Sequence, residues 1–178
     1  MGLMIHSLEL LSEKANRDYY LYLLDYGWDE PLANSLRANF AKMADFASRN
    51  DAVIIMGVGD IGHFDNEVLS WHKINGENAE KLLPAILITR SNPHRFRECC
   101  NQLQKQTDNE FSFLLIPIKD VCKNATELTS VIQGIFLDIK NKRELKNFSI
   151  KKEIKRRLAA CRPEIFHFER PIGIPTAV

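Results

Sequence analysis

The sequence predicts one α/β domain, built as a doubly wound and mostly parallel sheet of four to five strands with helices on both faces. Three observations predict this class. Several short apolar runs are continuous and bounded by charged or turn residues, which is typical of strands buried on both faces. Segments with apolar residues at helical spacing alternate with these runs. The length of 178 residues fits one domain, since domains commonly contain ~100–200 residues.

The composition is that of an ordinary globular protein. Hydrophobic residues make up 45% of the chain and charged residues 26%, which excludes a disordered chain. No apolar run reaches the ~18 residues that a membrane-spanning helix needs, and the N-terminus lacks the pattern of a signal peptide. The cysteines have neither CxxC nor zinc spacing, so we expect reduced thiols and a cytoplasmic protein. They are Cys99, Cys100, Cys122 and Cys161.

The predicted elements follow one another from the N-terminus. A short helix over residues 3–14 precedes the first strand. Strands are predicted at residues 19–24, 52–56, 85–88 and 111–116. Pro117 cannot donate a hydrogen bond to a neighbouring strand, so the last of these strands is expected to end there or to lie near an edge of the sheet.

Helices are predicted between and after these strands. Asp29 is the predicted N-cap of the first one, and Pro31 lies in its first turn. The apolar stripe of that helix is Leu32, Leu36, Phe40, Met43 and Ala47, and the stripe of a later helix is Leu128, Val131, Ile132, Ile135 and Ile139. Strands that alternate with helices imply right-handed crossovers, as in a flavodoxin-like or Rossmann-like sheet.

Charge is concentrated towards the C-terminus. We expect a core over residues 18–140, and a basic helical segment and extended tail over 141–178, within a single domain of residues 1–178. Residues 140–162 hold ten basic and two acidic side chains, with apolar residues interleaved. This pattern predicts an amphipathic helix with a solvated basic face. The alternative is a surface that binds an acidic protein partner or nucleic acid, or that docks a second copy of the chain. Nucleic acid is the less expected partner, because no nucleic-acid-binding motif is present.

Ligands of doubly wound sheets bind beyond the carboxyl ends of the strands, so the residues at those ends are the candidate site. The first strand is followed by Asp25 and Asp29, and the third by Arg90 and Asn92. The second strand is followed by Gly57, Gly59, Asp60 and Gly62. We expect all of these residues to converge on one edge of the sheet.

Gly57, Gly59 and Gly62 form a G-x-G-x-x-G pattern directly after a strand, as in loops that cradle a pyrophosphate. However, the carboxylate of Asp60 lies inside the loop and would repel phosphate. We therefore expect the glycines to form a sharp turn, with Arg90 as the residue that suits a phosphate group. The sequence identifies no cofactor.

Residues 51–60, together with Gly62, residues 64–67 and the strand at 83–90, resemble the nucleoside 2-deoxyribosyltransferase-like fold over about 40 residues. TIR domains resemble them more loosely. The resemblance implies that Glu67 is the catalytic carboxylate at the anomeric carbon of an N-glycosidic bond, whose transition state resembles an oxocarbenium ion. It also implies that Asp60 holds ribose hydroxyls or the departing base, and that Asp25 or Asp29 completes the pocket.

Other interpretations of the same residues remain open. Glu67 also fits an acidic residue placed near a helix N-terminus by the helix dipole. His63, Asp65, Glu67 and His72 are metal-ligand types, but their spacing does not place them on one helical face, so no metal site is expected. The sequence thus predicts a protein that handles a nucleotide or nucleoside, by cleaving or transferring at an N-glycosidic bond. The alternative is a non-catalytic nucleotide sensor or an assembly module.

Overall fold

The computed structural model describes residues 1–74, 80–101 and 112–152, and they form an α/β fold. The strands are β1 (Gly2–Ile5), β2 (Tyr19–Leu24), β3 (Ala52–Gly57), β4 (Ala85–Thr89) and β5 (Phe113–Pro117). The α-helices are α1 (Pro31–Ala38), α2 (Phe40–Ser48), α3 (Ile61–Trp71), α4 (Pro93–Asn101), α5 (Ile118–Val121) and α6 (Ala125–Lys140). Short 3-10 helices lie at Leu8–Leu10, Glu80–Leu82 and Leu145–Asn147.

The strands form one mixed sheet in the order β1-β3-β2-β4-β5. β3 pairs in parallel with both β1 and β2, whereas β4 pairs antiparallel with both β2 and β5. The expectation of an α/β fold with a sheet of four to five strands is confirmed in the described residues, which form five strands. A mostly parallel sheet is confirmed only for the β1-β3-β2 half, because β4 runs against all of its neighbours.

The direction of β4 follows from the path of the chain before it. Helix α3 starts at the carboxyl end of β3, and β4 starts at that same edge of the sheet. As a result, Ala85 at the start of β4 lies opposite Leu24 at the end of β2. An apolar run has the same pattern in either direction, so the sequence predicted this strand without its orientation.

The N-terminal segment is a strand where the sequence predicted a helix over residues 3–14. Leu3 pairs with Ile55 on the neighbouring strand. Leu3 and Ile5 pack on the core, while Met4 between them is 54% exposed. Side chains that alternate in this way have the period of two that characterises a strand. A 3-10 helix at Leu8–Leu10 is the helical part of the predicted segment that the structure retains.

Alternating side chains of the strands form two cores, one on each face of the sheet. Leu21 of β2 faces the core that α1, α2 and α6 cover, and Tyr22 faces the core that α3 covers. Helices on both faces are thereby confirmed. The helix predicted after β2 is two helices that meet at Asn39, and Glu30 rather than Asp29 precedes its first residue.

The C-terminal part of the described chain starts with α6, which matches the predicted apolar stripe. Asn124 caps it by accepting a hydrogen bond from the backbone N–H of Glu127. Of the predicted basic segment, only residues up to 152 are described; its remainder and the extended tail lie outside the described residues. In the part of the chain that the structure describes, no helix is long and apolar enough to cross a bilayer.

Candidate functional site

After β2 and after β3, the chain continues onto opposite faces of the sheet. β2 leads into α1 on one face of the sheet, and the adjacent β3 leads into α3 on the other face. Such a point, where neighbouring parallel strands connect to opposite faces, is where open α/β sheets bind ligands. We call residues 25–30 and 57–63, together with Asp65 and Asn66, the switch-point region.

Asp25 anchors the loop that follows β2. Its side chain is 4% exposed and forms a 2.7 Å ion pair with Arg37 of α1. The other carboxylate oxygen accepts a 2.8 Å hydrogen bond from the backbone N–H of Gly27. Arg37 in turn donates to the carbonyl oxygen of Trp28 at 2.9 Å. The ion pair therefore fixes the β2–α1 loop rather than leaving Asp25 open to solvent.

Asp65 of α3 joins the two loops of the region. Its Oδ2 accepts hydrogen bonds from the backbone N–H groups of Asp25 at 2.8 Å and Tyr26 at 2.7 Å. The residue is fully buried, and its Oδ1 has no hydrogen-bond partner among the described residues. Burial raises the pKa of Asp65 to about 7, because desolvation of the carboxylate outweighs the two backbone hydrogen bonds. Near neutral pH this carboxyl group is able to hold or release a proton.

The accessible edge of the region is aromatic. The rings of Tyr26 and Trp28 lie 5.4 Å apart, and Trp28 is 38% exposed. The Tyr26 hydroxyl donates to the Oδ1 of Asn66. Lys119, which follows β5, places its ammonium group 5.7 Å from the Trp28 ring and pairs with Glu30 at 2.8 Å. An exposed indole beside polar groups is suited to contact a planar ring.

The glycine loop has a structural explanation. Gly59 has φ +75°, and a Cβ there would lie 2.8 Å from Nδ1 of His6. A Cβ on Gly57 would lie 2.8 Å from the Phe64 ring. Asp60 caps α3 by accepting a 2.9 Å hydrogen bond from the backbone N–H of His63, and its side chain is solvent-exposed. These contacts agree with the expected sharp turn.

Glu67 lies on α3 but is occupied by local hydrogen bonds. Its Oε1 accepts from the Ser7 hydroxyl at 2.9 Å, and its Oε2 accepts from the backbone N–H of Leu8 at 2.7 Å. Both oxygens thus tie α3 to the segment that follows β1. A catalytic role for Glu67 stays a prediction, and its carboxylate would have to leave these partners to reach a ligand.

The expected convergence of all candidate residues on one edge is wrong for Arg90 and Asn92. Because β4 is antiparallel, both follow its end at the opposite edge of the sheet, beside the start of β2. The Arg90 guanidinium lies 5.4 Å from the Tyr19 ring. The Asn92 amide donates to carbonyl oxygens of the loop that precedes β2, including that of Ala15 at 2.9 Å. Neither reaches the switch-point region.

The metal-ligand types on α3 do not meet either. His63 is exposed at the start of the helix, whereas His72 is buried just after its end. His72 donates from Nδ1 to the carbonyl oxygen of Val68 at 2.7 Å, and burial lowers its pKa to about 4. No group of three or more His, Cys, Asp or Glu side chains forms a metal site within residues 1–74, 80–101 and 112–152.

Asp25, Asp60 and the glycines lie at the carboxyl edge of β2 and β3, where the sequence predicted them. Asp29 lies there too and accepts a hydrogen bond from the Asn34 amide at 2.6 Å. It missed Arg37 and gave no role to Tyr26. One signal for Arg37 was present in the sequence: it lies four residues after the apolar Ala33 in the predicted helix, so both are expected on one side of that helix.

The chain matches no protein-family model, no curated protein and no solved structure. The resemblance to nucleoside 2-deoxyribosyltransferase-like and TIR-like proteins therefore stays a prediction from the residues alone.

Proposed function

We propose that this protein binds a nucleoside, or the nucleoside part of a nucleotide, at the switch-point region. The observation that carries the proposal is the position of an exposed aromatic residue, Trp28, beside buried carboxyl groups at the point where β2 and β3 connect to opposite faces. The indole offers a surface on which a base stacks. The carboxylate of Asp60 offers acceptors for ribose hydroxyls.

The charges of the region favour the nucleoside part over the phosphates. Asp25 is neutralised by Arg37, whereas Asp60 forms the cap of α3 where a phosphate would otherwise bind. A negative ligand group at that helix start would meet the Asp60 carboxylate. We therefore expect a nucleoside to bind at least as tightly as its 5′-monophosphate.

The test is calorimetric titration of the protein with nucleosides, their monophosphates and NAD. Trp28→Ala is expected to weaken binding by about 5- to 150-fold, because base–aromatic stacking contributes ~1–3 kcal/mol. Arg90→Ala is the matched control, since Arg90 lies at the opposite edge of the sheet. Binding that Arg90→Ala weakens and Trp28→Ala leaves unchanged would contradict the proposal.

Cleavage or transfer at the N-glycosidic bond is the second candidate function, favoured by the exposed carboxylate of Asp60, which lies beside Gly62 together with the Tyr26 ring. Asp60→Asn keeps a residue type that caps helices and removes the negative charge. Incubation with nucleosides and NAD, followed by mass spectrometry, should show free base from the wild type and none from Asp60→Asn. Binding without any product would leave a non-catalytic binding protein.

A further inference from the structure

Arg90 lies at the start of β2, next to the residues that follow α6. Because β4 is antiparallel to β2, its last residue pairs with Tyr20, and Arg90 comes directly after it. The Arg90 guanidinium lies 5.4 Å from the centroid of the Tyr19 ring, and the hydroxyl of the same ring donates to the carbonyl oxygen of Arg143 at 2.6 Å. A single tyrosine therefore joins Arg90 to the basic segment, although the two lie far apart in the sequence.

Two further contacts hold the basic segment on this edge of the sheet. The Phe148 ring packs on Tyr19, with ring centroids 6.0 Å apart. The ammonium group of Lys142 lies 3.4 Å from a carboxylate oxygen of Asp18, just before β2. The segment thus continues from the end of α6 onto the edge where β2 starts, whereas the switch-point region lies at the other end of β2.

The surface formed in this way, which we call the basic edge, has a net positive charge. Seven basic and three acidic side chains of the described residues give it a net charge of +4, against +1 for the whole chain. The neighbouring ion pair of Arg17 and Asp51 adds nothing to this charge. The basic members are Arg90, Lys140, Lys142, Arg143, Lys146, Lys151 and Lys152, and the acidic members are Asp18, Asp138 and Glu144. Such an excess of cations attracts a polyanion.

The accessible groups of the basic edge are polar. The side chain of Lys142 is 78% exposed, and Arg90 is exposed and forms no ion pair within residues 1–74, 80–101 and 112–152. Among the described residues, Leu137 of α6 is the exposed large apolar side chain nearest to these cations in the sequence. Protein interfaces have an apolar centre from which charged residues are depleted, whereas interfaces with nucleic acid are polar and positively charged. The composition of the basic edge therefore favours nucleic acid over an acidic protein.

Contact with phosphates needs no nucleic-acid-binding motif. Such motifs belong to elements that read or stack bases, whereas phosphates are bound by Lys and Arg through charge and hydrogen bonds. Among the described residues, the exposed aromatic side chain is Trp28, at the other edge of the sheet, so no exposed ring at the basic edge is placed to stack an unpaired base. A duplex, which presents its phosphates and keeps its bases stacked, is the form that fits.

We propose that the basic edge binds the phosphate backbone of a nucleic-acid duplex without reading its sequence. Arg90 contributes a guanidinium whose planar fork matches two phosphate oxygens. Lys140 and Lys142 contribute ammonium groups from the end of α6. This binding is independent of the proposed function, because the two surfaces lie at opposite edges of the sheet.

The experiment measures fluorescence anisotropy of a labelled DNA duplex of ~20 base pairs, about two helical turns, over a range of salt concentrations. Arg90→Ala and Lys142→Asn are each expected to weaken binding about two- to fivefold, as for the loss of one exposed ion contact. Each should also reduce the slope of log K against log salt concentration by about 0.9, the value for one phosphate contact. Asparagine is used at position 142 because φ there is 51°, which asparagine tolerates.

Three variants serve as controls. Lys123→Ala removes an equal charge just before α6, which has 16 residues, so the change lies ~24 Å from Lys140 and should leave binding unchanged. Arg90→Lys keeps the charge and should keep the salt slope. Trp28→Ala should not affect duplex binding, since Trp28 lies at the other edge of the sheet.

The proposal is overturned if the wild type binds no duplex at about 50 mM salt, where phosphate contacts are strong. It is also overturned if Lys123→Ala weakens binding as much as Arg90→Ala, because general attraction to the whole surface would then suffice. Tighter binding of the single strand, of a polyglutamate peptide or of phosphatidylserine vesicles would assign the basic edge to a different partner and overturn it as well.

Discussion

At the scale of single residues, the carboxylate of Glu67 has two interpretations, and one substitution distinguishes them. The resemblance implies that Glu67 is catalytic, whereas in the structure its oxygens accept hydrogen bonds from Ser7 and Leu8. A side chain that holds two segments together affects stability first. A side chain that attacks a glycosidic carbon affects turnover first.

Glu67→Gln is expected to lower the free energy of unfolding by ~1–3 kcal/mol, because the amide retains one acceptor and turns a donor towards Ser7 or Leu8. Nucleoside binding at Trp28 should be unchanged. Urea denaturation and calorimetry measure the two quantities. In a double-mutant cycle, Ser7→Ala and Glu67→Ala should be coupled, since they share the 2.9 Å hydrogen bond. Full stability together with lost turnover would favour the catalytic interpretation.

The glycines also differ in what they do. Gly57→Ala is expected to destabilise the protein by ~1–3 kcal/mol, because the new Cβ would lie 2.8 Å from the Phe64 ring in the core. Gly134→Ala in α6 is the control: its Cβ meets nothing within 4 Å, and alanine favours the helix by ~0.5–1 kcal/mol. Urea denaturation of both variants is the measurement. Equal effects would mean that Gly57 is free of the Phe64 contact.

At the scale of elements, α6 is joined to the basic segment by one buried acid. Asp138 accepts from Arg143 at 2.8 Å and from the backbone N–H of Ser149 at 2.6 Å. Asp138→Asn is expected to cost ~3 kcal/mol, because it leaves buried donors mismatched. Asp45→Asn breaks an exposed i,i+4 pair with Arg49 and should cost at most ~0.5 kcal/mol. Thermal and urea denaturation measure the stability of both variants. A similar loss of stability in the two would contradict the argument that the buried Asp138 joins α6 to the basic segment.

The sequence alone predicted the elements whose apolar residues repeat with an unambiguous period. β2 and β3 are continuous apolar runs because both faces of each strand are buried. α6 has an apolar stripe because only one side of the helix is buried. β1 was missed because four residues at an edge, with Met4 exposed, are too short to separate a period of two from a helical one. The direction of β4 was missed because it depends on the path of the preceding loop.

The same limits apply to the candidate site. The ends of β2 and β3 were placed correctly, since both strands are parallel and adjacent. Arg90 was assigned to that edge only through the assumed direction of its strand. The roles of Tyr26 and Asp65 depend on contacts between two loops that are distant in the chain, and no local pattern encodes such contacts.

At the scale of the whole molecule, two buried groups make stability depend on pH in opposite directions. Burial raises the pKa of Asp65 from 3.8 to about 7, so its contribution to stability is complete below pH 3.8 and is lost as pH rises through 7. Burial lowers the pKa of His72 from 6.5 to about 4, so its contribution is complete above pH 6.5 and is lost as pH falls through 4. Between pH 4 and 6.5 the two slopes oppose each other.

When one of the two groups is replaced, the free energy of unfolding should show the pH dependence of the other group alone. Relative to the wild type, Asp65→Asn is expected to gain stability with rising pH between 4 and 6.5, and His72→Phe to lose it. Each difference approaches 1.4 kcal/mol per pH unit, or about one proton. Urea denaturation across this range measures the slopes. Parallel pH profiles for Asp65→Asn and the wild type would contradict a raised pKa of Asp65.

The most direct measurement of the central claim is to map backbone amide chemical shifts during titration with a nucleoside. The account predicts that the shifts change at residues 25–29 and 58–63, with the Trp28 indole among them, and that residues 89–92 at the opposite edge of the sheet stay unchanged. Changes centred on residues 89–92, or no changes at saturating nucleoside, would contradict it.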